Sequence, residues 1–403
     1  MSTSILYHGF GICGYRYKRT HFEEGKIVFS IEKDPSSLRC PSCNDWHVNK
    51  HGGVFRWFQA LPIGKKQVYV TLHIPRVECH DCGITRQIKL GFADPRRTYT
   101  KSFERYALEL SLHMTIKDVA RHLGVSWDVV KDIQKRYLSK RYAQPRLKDL
   151  QLIAIDEISI GRGHRYLTVV LDLVSGAVVF VGDGKGTDAL IPFWKKLKSS
   201  KAKIDAVAMD MSPSYISAVS THLPDAIIVF DHFHIIKMFN DKLSELRRDL
   251  QREAAESDKE VLKGTRWLLL KNPENLNESR NERQRLEEAL HLNKPLATAY
   301  YLKEDLRQLW EQEDKLHAEI FLDDWIARAE CSQIKMLEKF AETLDKHRIG
   351  ILSYYDYPIS TGPLEGTNNK IKTLQKQAYG FRDMECFKLK IYALHETKYA
   401  LVG

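Results

Sequence analysis

Three carboxylates are the residues of this sequence best placed to carry chemistry. Asp156 lies inside the apolar, β-branched run 152–160, and Asp210 lies near the end of a second apolar run, just before a Ser-Pro pair. Glu365 follows a Gly-Pro turn at the start of a helical pattern. An ionised Asp in a buried strand is costly unless a cation or hydrogen-bond donors meet it. Because hard cations prefer oxygen ligands, the three side chains predict a site for two Mg²⁺ ions, with Mn²⁺ as the alternative metal.

Two such ions would suit phosphodiester chemistry. In-line displacement needs an activated water or 3′-hydroxyl and neutralised charge on the attacking and leaving oxygens, and a metal pair about 3.5 to 4 Å apart supplies both. Glu157, Asp172 and Asp205 also lie in or beside predicted strands, and each could replace one of the three carboxylates. Since adjacent strand residues point to opposite faces, Glu157 is expected to turn away if Asp156 faces the site.

Cysteines predict a second metal site. Four of the seven form the pairs Cys40-x-x-Cys43 and Cys79-x-x-Cys82, and Gly83 supplies a tight turn after the second. Two such pairs separated by strand-like segments are typical of a zinc ribbon, in which four thiolates hold one structural Zn²⁺. The alternatives are four reduced cysteines packed as small hydrophobic residues, or a ligand set that includes His47, His51 or His80.

Residues 115–142 have a helix-turn-helix pattern. Thr115 is a plausible N-cap with Asp118 three residues later, and Gly124 marks the turn. The second helix would enter the DNA major groove with its first residues and reach phosphates with its later basic ones. The alternative is a packing module that does not touch DNA. The predicted DNA contacts are Ser126, Trp127, Lys131, Lys135 and Arg136.

The basic residues are concentrated in the N-terminal part of the chain. Residues 1–149 contain 26 Lys and Arg against 14 Asp and Glu, whereas 150–403 contain 36 against 38. This excess favours a polyanionic partner, although a solvated basic surface would give the same count. The sequence has neither an apolar run of the roughly 20 residues that span a bilayer nor a signal-peptide pattern. We therefore expect a soluble protein of the cytoplasm.

The elements that position the carboxylates follow the order β-β-β-α-β-α-β-α from about residue 150. Asp231 and His234 follow the last of these strands, either as part of the active site or as a buried pair that holds a helix start. A long charged helical region then runs from 235 to about 347. After Glu365 come polar and basic residues that would contact phosphates or lie on a solvated helix face: Asn368, Asn369, Lys370, Lys372, Lys376 and Arg382.

Taken in this order, the features resemble the DDE transposases of bacterial insertion sequences, most closely the ISL-three family. The resemblance is carried by the four cysteines, the helix-turn-helix and four short segments: AIDE at 154–157, AMDMS at 208–212, FDHFHI at 230–235 and GPLEGTNN at 362–369. It implies an α/β, RNase H-like mixed-sheet catalytic domain with a helical insertion. It also implies that Asp156, Asp210 and Glu365 are the catalytic triad, and that Asp231-x-x-His234 is a motif found in several transposase groups.

These expectations give a DNA transposase that binds terminal inverted repeats and catalyses metal-dependent strand cleavage and transfer to target DNA. A homodimer is expected, because two ends must be processed, and the bacterial nucleoid is the expected place of action. The rivals are a catalytically silent DNA-binding regulator and a structure-selective nuclease of the same fold. The predicted parts are 1–95 (zinc ribbon), 96–145 (helix-turn-helix), 146–240 and 348–403 (catalytic), and 241–347 (helical insertion).

Overall fold

The computed structural model describes residues 4–161 and 163–394. These residues group into two compact units, one of 4–144 with 373–393 and one of 145–372 with Leu394. The boundary at 144 lies next to the predicted end of the helix-turn-helix. Residues 373–393, which the sequence assigned to the catalytic domain, instead group with the N-terminal unit. Among the described helices, none has the length and apolar character needed to cross a membrane.

Five strands form the sheet of the N-terminal unit. They are β1 (Tyr15–Glu23), β2 (Lys26–Lys33), β3 (Val48–Ile63), β4 (Lys66–Cys79) and β5 (Thr85–Gln87). The order is β1-β2-β4-β3, with β5 paired to β4. Strands β2 and β4 are parallel, and the other pairs are antiparallel. A short helix, α1 (Ile5–Phe10), precedes β1, which is an edge strand of this sheet.

The predicted helix-turn-helix is confirmed. It consists of α2 (Lys101–Leu110), α3 (Ile116–Leu123) and α4 (Trp127–Tyr142). The Thr115 hydroxyl accepts a hydrogen bond of 3.2 Å from the backbone N–H of Asp118, which caps α3 as predicted. Gly124 ends α3 with a φ of 65°, a left-handed conformation that glycine adopts without strain. Phe103, Val119 and Ile133 form its core.

Helix α16 (Met384–Tyr392), from the far end of the chain, packs on this helix-turn-helix. Leu389 and Ala393 form an apolar cluster with Leu138 and Tyr142 of α4. These buried contacts are the physical reason why residues 373–393 group with the N-terminal unit.

The second unit is built on a mixed sheet. Its strands are β6 (Leu152–Gly161), β7 (Arg165–Asp172), β8 (Val178–Asp183), β9 (Ala206–Met209) and β10 (Ile227–Phe230), in the order β10-β9-β6-β7-β8. Strands β6, β7 and β8 form an antiparallel meander, and β9 and β10 run parallel to β6. Along the chain, α5 (Thr187–Ser200) connects β8 to β9, and α6 (Pro213–His222) connects β9 to β10. This is the predicted RNase H-like mixed sheet.

A helical region follows β10 and packs into the same core. It comprises α7 (His232–Glu253), α8 (Glu256–Leu262), α9 (Arg266–Leu270), α10 (Glu282–Leu292), α11 (Lys294–Arg307), α12 (Lys315–Glu330), α13 (Lys335–Lys346) and α14 (Arg348–Leu352). Trp325 anchors it, because its ring packs on Phe239 and Phe340 and its indole N–H donates to the carbonyl of Leu302 at 2.8 Å. Helix α15 (Gly362–Gln377) then returns to the ends of the strands.

Candidate active site and zinc ribbon

Asp156 and Asp210 lie at the same level on neighbouring parallel strands. Ala154 of β6 pairs with Ala208 of β9, so two residues later Asp156 and Asp210 come side by side on one face. Asp210 directly follows the last residue of β9, and one of its oxygens accepts a hydrogen bond of 3.0 Å from the backbone N–H of Ser212. The two carboxylates therefore meet where β9 ends and the chain turns into α6.

Helix α15 is fixed to these strand ends at two points. Asp231, the residue after β10, accepts a hydrogen bond of 2.8 Å from the hydroxyl of Thr361, which directly precedes the helix. Farther along, the Asn368 side-chain amide donates to Asp156 at 2.8 Å. Glu365 lies three residues before Asn368 and so shares its helix face. Glu365 itself is exposed on this face.

The charges of this region influence one another. Burial raises the pKa of Asp156, and the nearby Asp210 carboxylate raises it further, although the backbone N–H of Glu157 and the charge on His234 oppose the shift. His234 Nδ1 lies 2.9 Å from an oxygen of Asp231, and this hydrogen bond raises the pKa of His234. For Asp231, burial favours the neutral acid, but the hydrogen bonds from His234 and Thr361 outweigh it and lower the pKa.

An oxygen-rich position lies beside Asp156. The Asn368 side chain is only 7 % exposed, and its carbonyl oxygen is buried without a hydrogen-bond partner. A buried amide oxygen usually has a donor or a cation next to it. The oxygen atoms of Asp156, Asp210 and this amide are donors of the type that a hard divalent cation prefers, whereas Glu365 is exposed on α15. The ligand atoms of the three carboxylates do not all lie within 4.8 Å of one another in the described structure.

Two of the three alternative carboxylates have hydrogen-bond partners of their own. Glu157 accepts a hydrogen bond of 3.2 Å from the Tyr215 hydroxyl of α6. Asp172 accepts from the backbone N–H groups of Val174 and Ser175 and closes the turn before β8. Asp205 precedes β9 and so lies at the opposite end of that strand from Asp210.

The remaining candidates are distributed around this region. His232 is half-exposed, with its Nδ1 at 3.8 Å from Asp231 and its ring near those of Trp310 and Tyr354. The predicted phosphate contacts on α15 are all exposed: Asn369, Lys370 and Lys372. Lys372 lies two helical turns after Glu365 and so shares its face of the helix.

The four predicted zinc ligands come together. Their sulfur atoms lie within 4.8 Å of one another, with Cys40 Sγ at 3.6 Å from Cys82 Sγ and Cys43 Sγ at 3.5 Å from Cys79 Sγ. A disulfide would require about 2.05 Å. Tetrahedral Zn²⁺ with Zn–S bonds of about 2.3 Å implies sulfur separations of about 3.8 Å, close to these values.

Backbone geometry favours thiolates at this site. The hairpin of β3 and β4 explains the long gap between the cysteine pairs, because it places Val48 opposite Cys79 and so brings the two turns together. Hydrogen bonds from the backbone N–H groups of Cys43 and Ser42 lower the pKa of Cys40 to about 6. His47 and His51 instead lie near Asp45 and Glu78, so the Cys₄ cluster supports a structural zinc without a histidine ligand.

Three of the five predicted DNA contacts on α4 have acidic partners inside their own unit. Lys131 lies 2.9 Å from Asp383, and Lys135 lies 2.5 Å from Glu385. Arg136 bonds the Tyr99 hydroxyl and ion-pairs with Glu104 and Asp132. By contrast, Ser126 makes no side-chain cap bond, and the Trp127 side chain is 53 % exposed. The start of α4 is thus exposed, as are residues 139–141 near its end.

Comparisons with known proteins agree with this architecture. A transposase family model of the ISL3 type matches residues 153–391, a model described as the helix-turn-helix domain of transposase family ISL3 matches 88–138, and one described as the zinc-finger of transposase IS204/IS1001/IS1096/IS1165 matches 36–82. A solved structure titled "Drosophila P element transposase strand transfer complex" covers 76 % of this chain and 94 % of its own, at 12 % identity and a TM-score of 0.38. At that similarity it adds no argument.

Relatives of known name give the same assignment. The transposase for insertion sequence element IS1001 of Bordetella parapertussis is 32 % identical over 389 residues, which are 94 % of this chain and 95 % of that protein. The transposases for IS1557 from two strains of Mycobacterium tuberculosis are 29 % identical over 372 residues, covering 85 % of this chain and 82 % of theirs. With a family model that spans more than half of its residues, this chain belongs to the ISL3 family of insertion-sequence transposases.

Proposed function

We propose that this transposase cleaves and joins DNA at a site in which Asp156, Asp210 and Glu365 hold divalent cations, with Mg²⁺ as the expected ion. The proposal rests above all on one hydrogen bond: Asn368, one turn after Glu365, donates to Asp156, which lies level with Asp210. Mg²⁺ at these carboxylates would activate a water or 3′-hydroxyl nucleophile and offset charge on the phosphodiester. The raised pKa of Asp156 is consistent with a buried carboxylate that needs a cation.

Other residues of the chain support this site. Asn368 fixes the orientation of the Asp156 carboxylate, and Asp231 holds the start of α15 through Thr361. His234 keeps its proton to higher pH because of its bond to Asp231, so it places a positive charge toward Asp156 and Asp210. We assign Asn369, Lys370 and Lys372 to phosphate contacts near the reacting bond. Through these residues the protein would orient the DNA backbone.

The DNA would be recognised by the N-terminal unit. We propose that Ser126 and Trp127 at the start of α4 read bases of the terminal inverted repeats, and that Lys131, Lys135 and Arg136 approach phosphates. For the two lysines this requires exchange of Asp383 and Glu385 for DNA phosphates. Water would first attack at the element end, and the freed 3′-hydroxyl would then attack target DNA.

We further propose a homodimer, since two ends must be brought together, and action on the bacterial nucleoid. Light scattering of the purified protein with and without end DNA tests the dimer. A monomer in both conditions would contradict it.

A cleavage assay tests the active site. Wild-type protein with Mg²⁺ is expected to cut duplexes that carry the element's end and to join them to a target plasmid, and Asp210→Asn is expected to abolish both. Glu157→Gln is a matched control, because its carboxylate bonds Tyr215 rather than the site. Cleavage that survives Asp210→Asn would overturn the assignment, whereas cleavage without joined products would indicate a nuclease.

A further inference from the structure

An open pocket of about 370 Å³ lies beside the first cysteine turn of the N-terminal unit. Its charged lining consists of Lys33, Arg39 and Lys89, and the residues that the structure describes along it include no Asp or Glu. Ser42 and Asn44, from the turn around Cys40, line the same pocket and offer neutral polar groups. The pocket is therefore positively charged and polar.

The three cations have no acidic partner within the described part of the chain. The Lys33 ammonium donates to the carbonyl of Gly14 at 3.1 Å and lies 4.8 Å from the Tyr15 ring. The Arg39 guanidinium donates to the carbonyls of Leu38 and Ser36 at 2.8 and 3.3 Å. Lys89 is exposed. Backbone carbonyls hold two of these side chains in place but leave their charges uncompensated.

The carboxylate nearest in sequence is already engaged. Asp34, next to Lys33, accepts hydrogen bonds from Ser36 and ion-pairs with Arg16 at 2.8 Å. Three like charges that line one pocket repel one another. An anion bound in the pocket would attract all three and so make their total electrostatic energy favourable. This surplus belongs to the part of the sequence with 26 basic against 14 acidic residues.

We propose that this pocket binds a backbone phosphate of double-stranded DNA. The pocket is open to solvent, as a phosphate that remains part of a DNA strand requires, and a compact guanidinium and ammonium pair suits a phosphodiester oxygen. The zinc ribbon would then add sequence-independent affinity to the base contacts of α4. This role rests on the proposed recognition of DNA by the N-terminal unit, and it is separate from the chemistry of the carboxylates.

A competing explanation is that the cations offset the negative charge of four thiolates around zinc. The two explanations differ in what the cations stabilise. If the cations serve the zinc site, their removal should lower zinc content and thermal stability. If they bind phosphate, zinc and stability should stay unchanged while DNA affinity falls.

The experiment uses full-length Arg39→Ala, Lys89→Ala and the double variant, with a random-sequence duplex as probe and no added Mg²⁺. Fluorescence anisotropy over a salt series should show weaker binding, and the slope of log affinity against log salt should become shallower by about 1 for each phosphate that the variant no longer neutralises. Lys89→Arg keeps the positive charge that Lys89→Ala removes, so it should bind the duplex as wild type does. Lys65→Ala is the matched control, since Lys65 lies in the β3–β4 turn, at the far end of the hairpin from the cysteines.

Unchanged affinity and slope in the double variant would overturn the proposal. So would loss of zinc in parallel with loss of binding, or a wild-type protein that does not bind the random duplex. Mg²⁺-dependent cleavage by these proteins is measured separately, so failure of the carboxylate site and failure of the phosphate pocket give different results.

Discussion

Asn368 donates a hydrogen bond of 2.8 Å to Asp156, across 212 residues of sequence. The bond ties helix α15 to the central strand of the catalytic sheet. Because Glu365 lies one turn before Asn368 on α15, we expect the bond to influence how that carboxylate approaches Asp156 and Asp210. Thr361 and Asp231 form the second tie, at the start of the helix. Both ties thus involve residues other than the three carboxylates that we propose as metal ligands.

Replacement of Asn368 by Ala is expected to reduce strand cleavage by about 10- to 100-fold, as is typical when a group that orients a metal ligand is removed. Since Asn368 acts through Asp156, the Mg²⁺ concentration needed for half-maximal cleavage should rise as well, which a purely structural role would not produce. Gln377→Ala, an exposed change in the same helix, serves as control. Equal cleavage and equal Mg²⁺ dependence in Asn368→Ala and wild type would contradict the assignment.

Asp156→Asn is expected to make the protein more heat-stable while abolishing cleavage. Burial and the neighbouring Asp210 raise the pKa of Asp156, so the ionised side chain disfavours the folded state near neutral pH and a neutral amide removes that penalty. Added Mg²⁺ should raise the melting temperature of wild type but not of the variant. Calorimetry measures both effects. A variant less stable than wild type without Mg²⁺ would show that the carboxylate is not penalised.

The Asp231–His234 pair should give stability a defined pH dependence. The pKa of His234 is raised above its ordinary 6.5 by Asp231 and, more weakly, by Asp156 and Asp210, so its contribution is full below 6.5 and is lost as pH rises through the folded-state pKa. The pKa of Asp231 is lowered below 3.8, so its contribution is present above 3.8 and is lost as pH falls through its folded-state pKa.

The free energy of unfolding should therefore differ most between wild type and His234→Gln from about pH 4 to 6.5, and less at higher pH. Urea titrations at a series of pH values measure this difference. His232→Gln provides the comparison variant, because His232 Nδ1 lies 3.8 Å from Asp231, beyond hydrogen-bond distance. A difference that does not vary with pH would mean that the pair is not ionic.

Metal analysis should find about one zinc per chain, since four thiolates complete a structural site. Cys40→Ser should unfold the zinc ribbon and abolish DNA binding, because binding of a structural metal and local folding are coupled. The catalytic unit should keep its own unfolding transition. Cys386→Ser, in a buried cysteine outside the cluster, controls for the loss of a thiol. A zinc-free wild-type protein of the same stability would refute the prediction.

The sequence by itself determined the local elements of this protein. Apolar runs around Asp156 and Asp210 predicted the strands and their order along the chain, because a short continuous apolar run is a local property of the sequence. Thr115 and Gly124 marked the ends of α3 for a similarly local reason, since caps act within one helical turn. Two C-x-x-C pairs predicted the cluster that the structure assembles.

Only the tertiary structure decided which of these residues meet. The proximity of Asp156 to Asp210 depends on the register that pairs Ala154 with Ala208, and the bonds from Asn368 and Thr361 join segments that are 212 and 130 residues apart. The ion pairs that Lys131 and Lys135 make with Asp383 and Glu385 likewise arise from packing at the far end of the chain. Interactions at such separations leave no periodic trace in the sequence, because they are set by how whole elements bury their apolar faces.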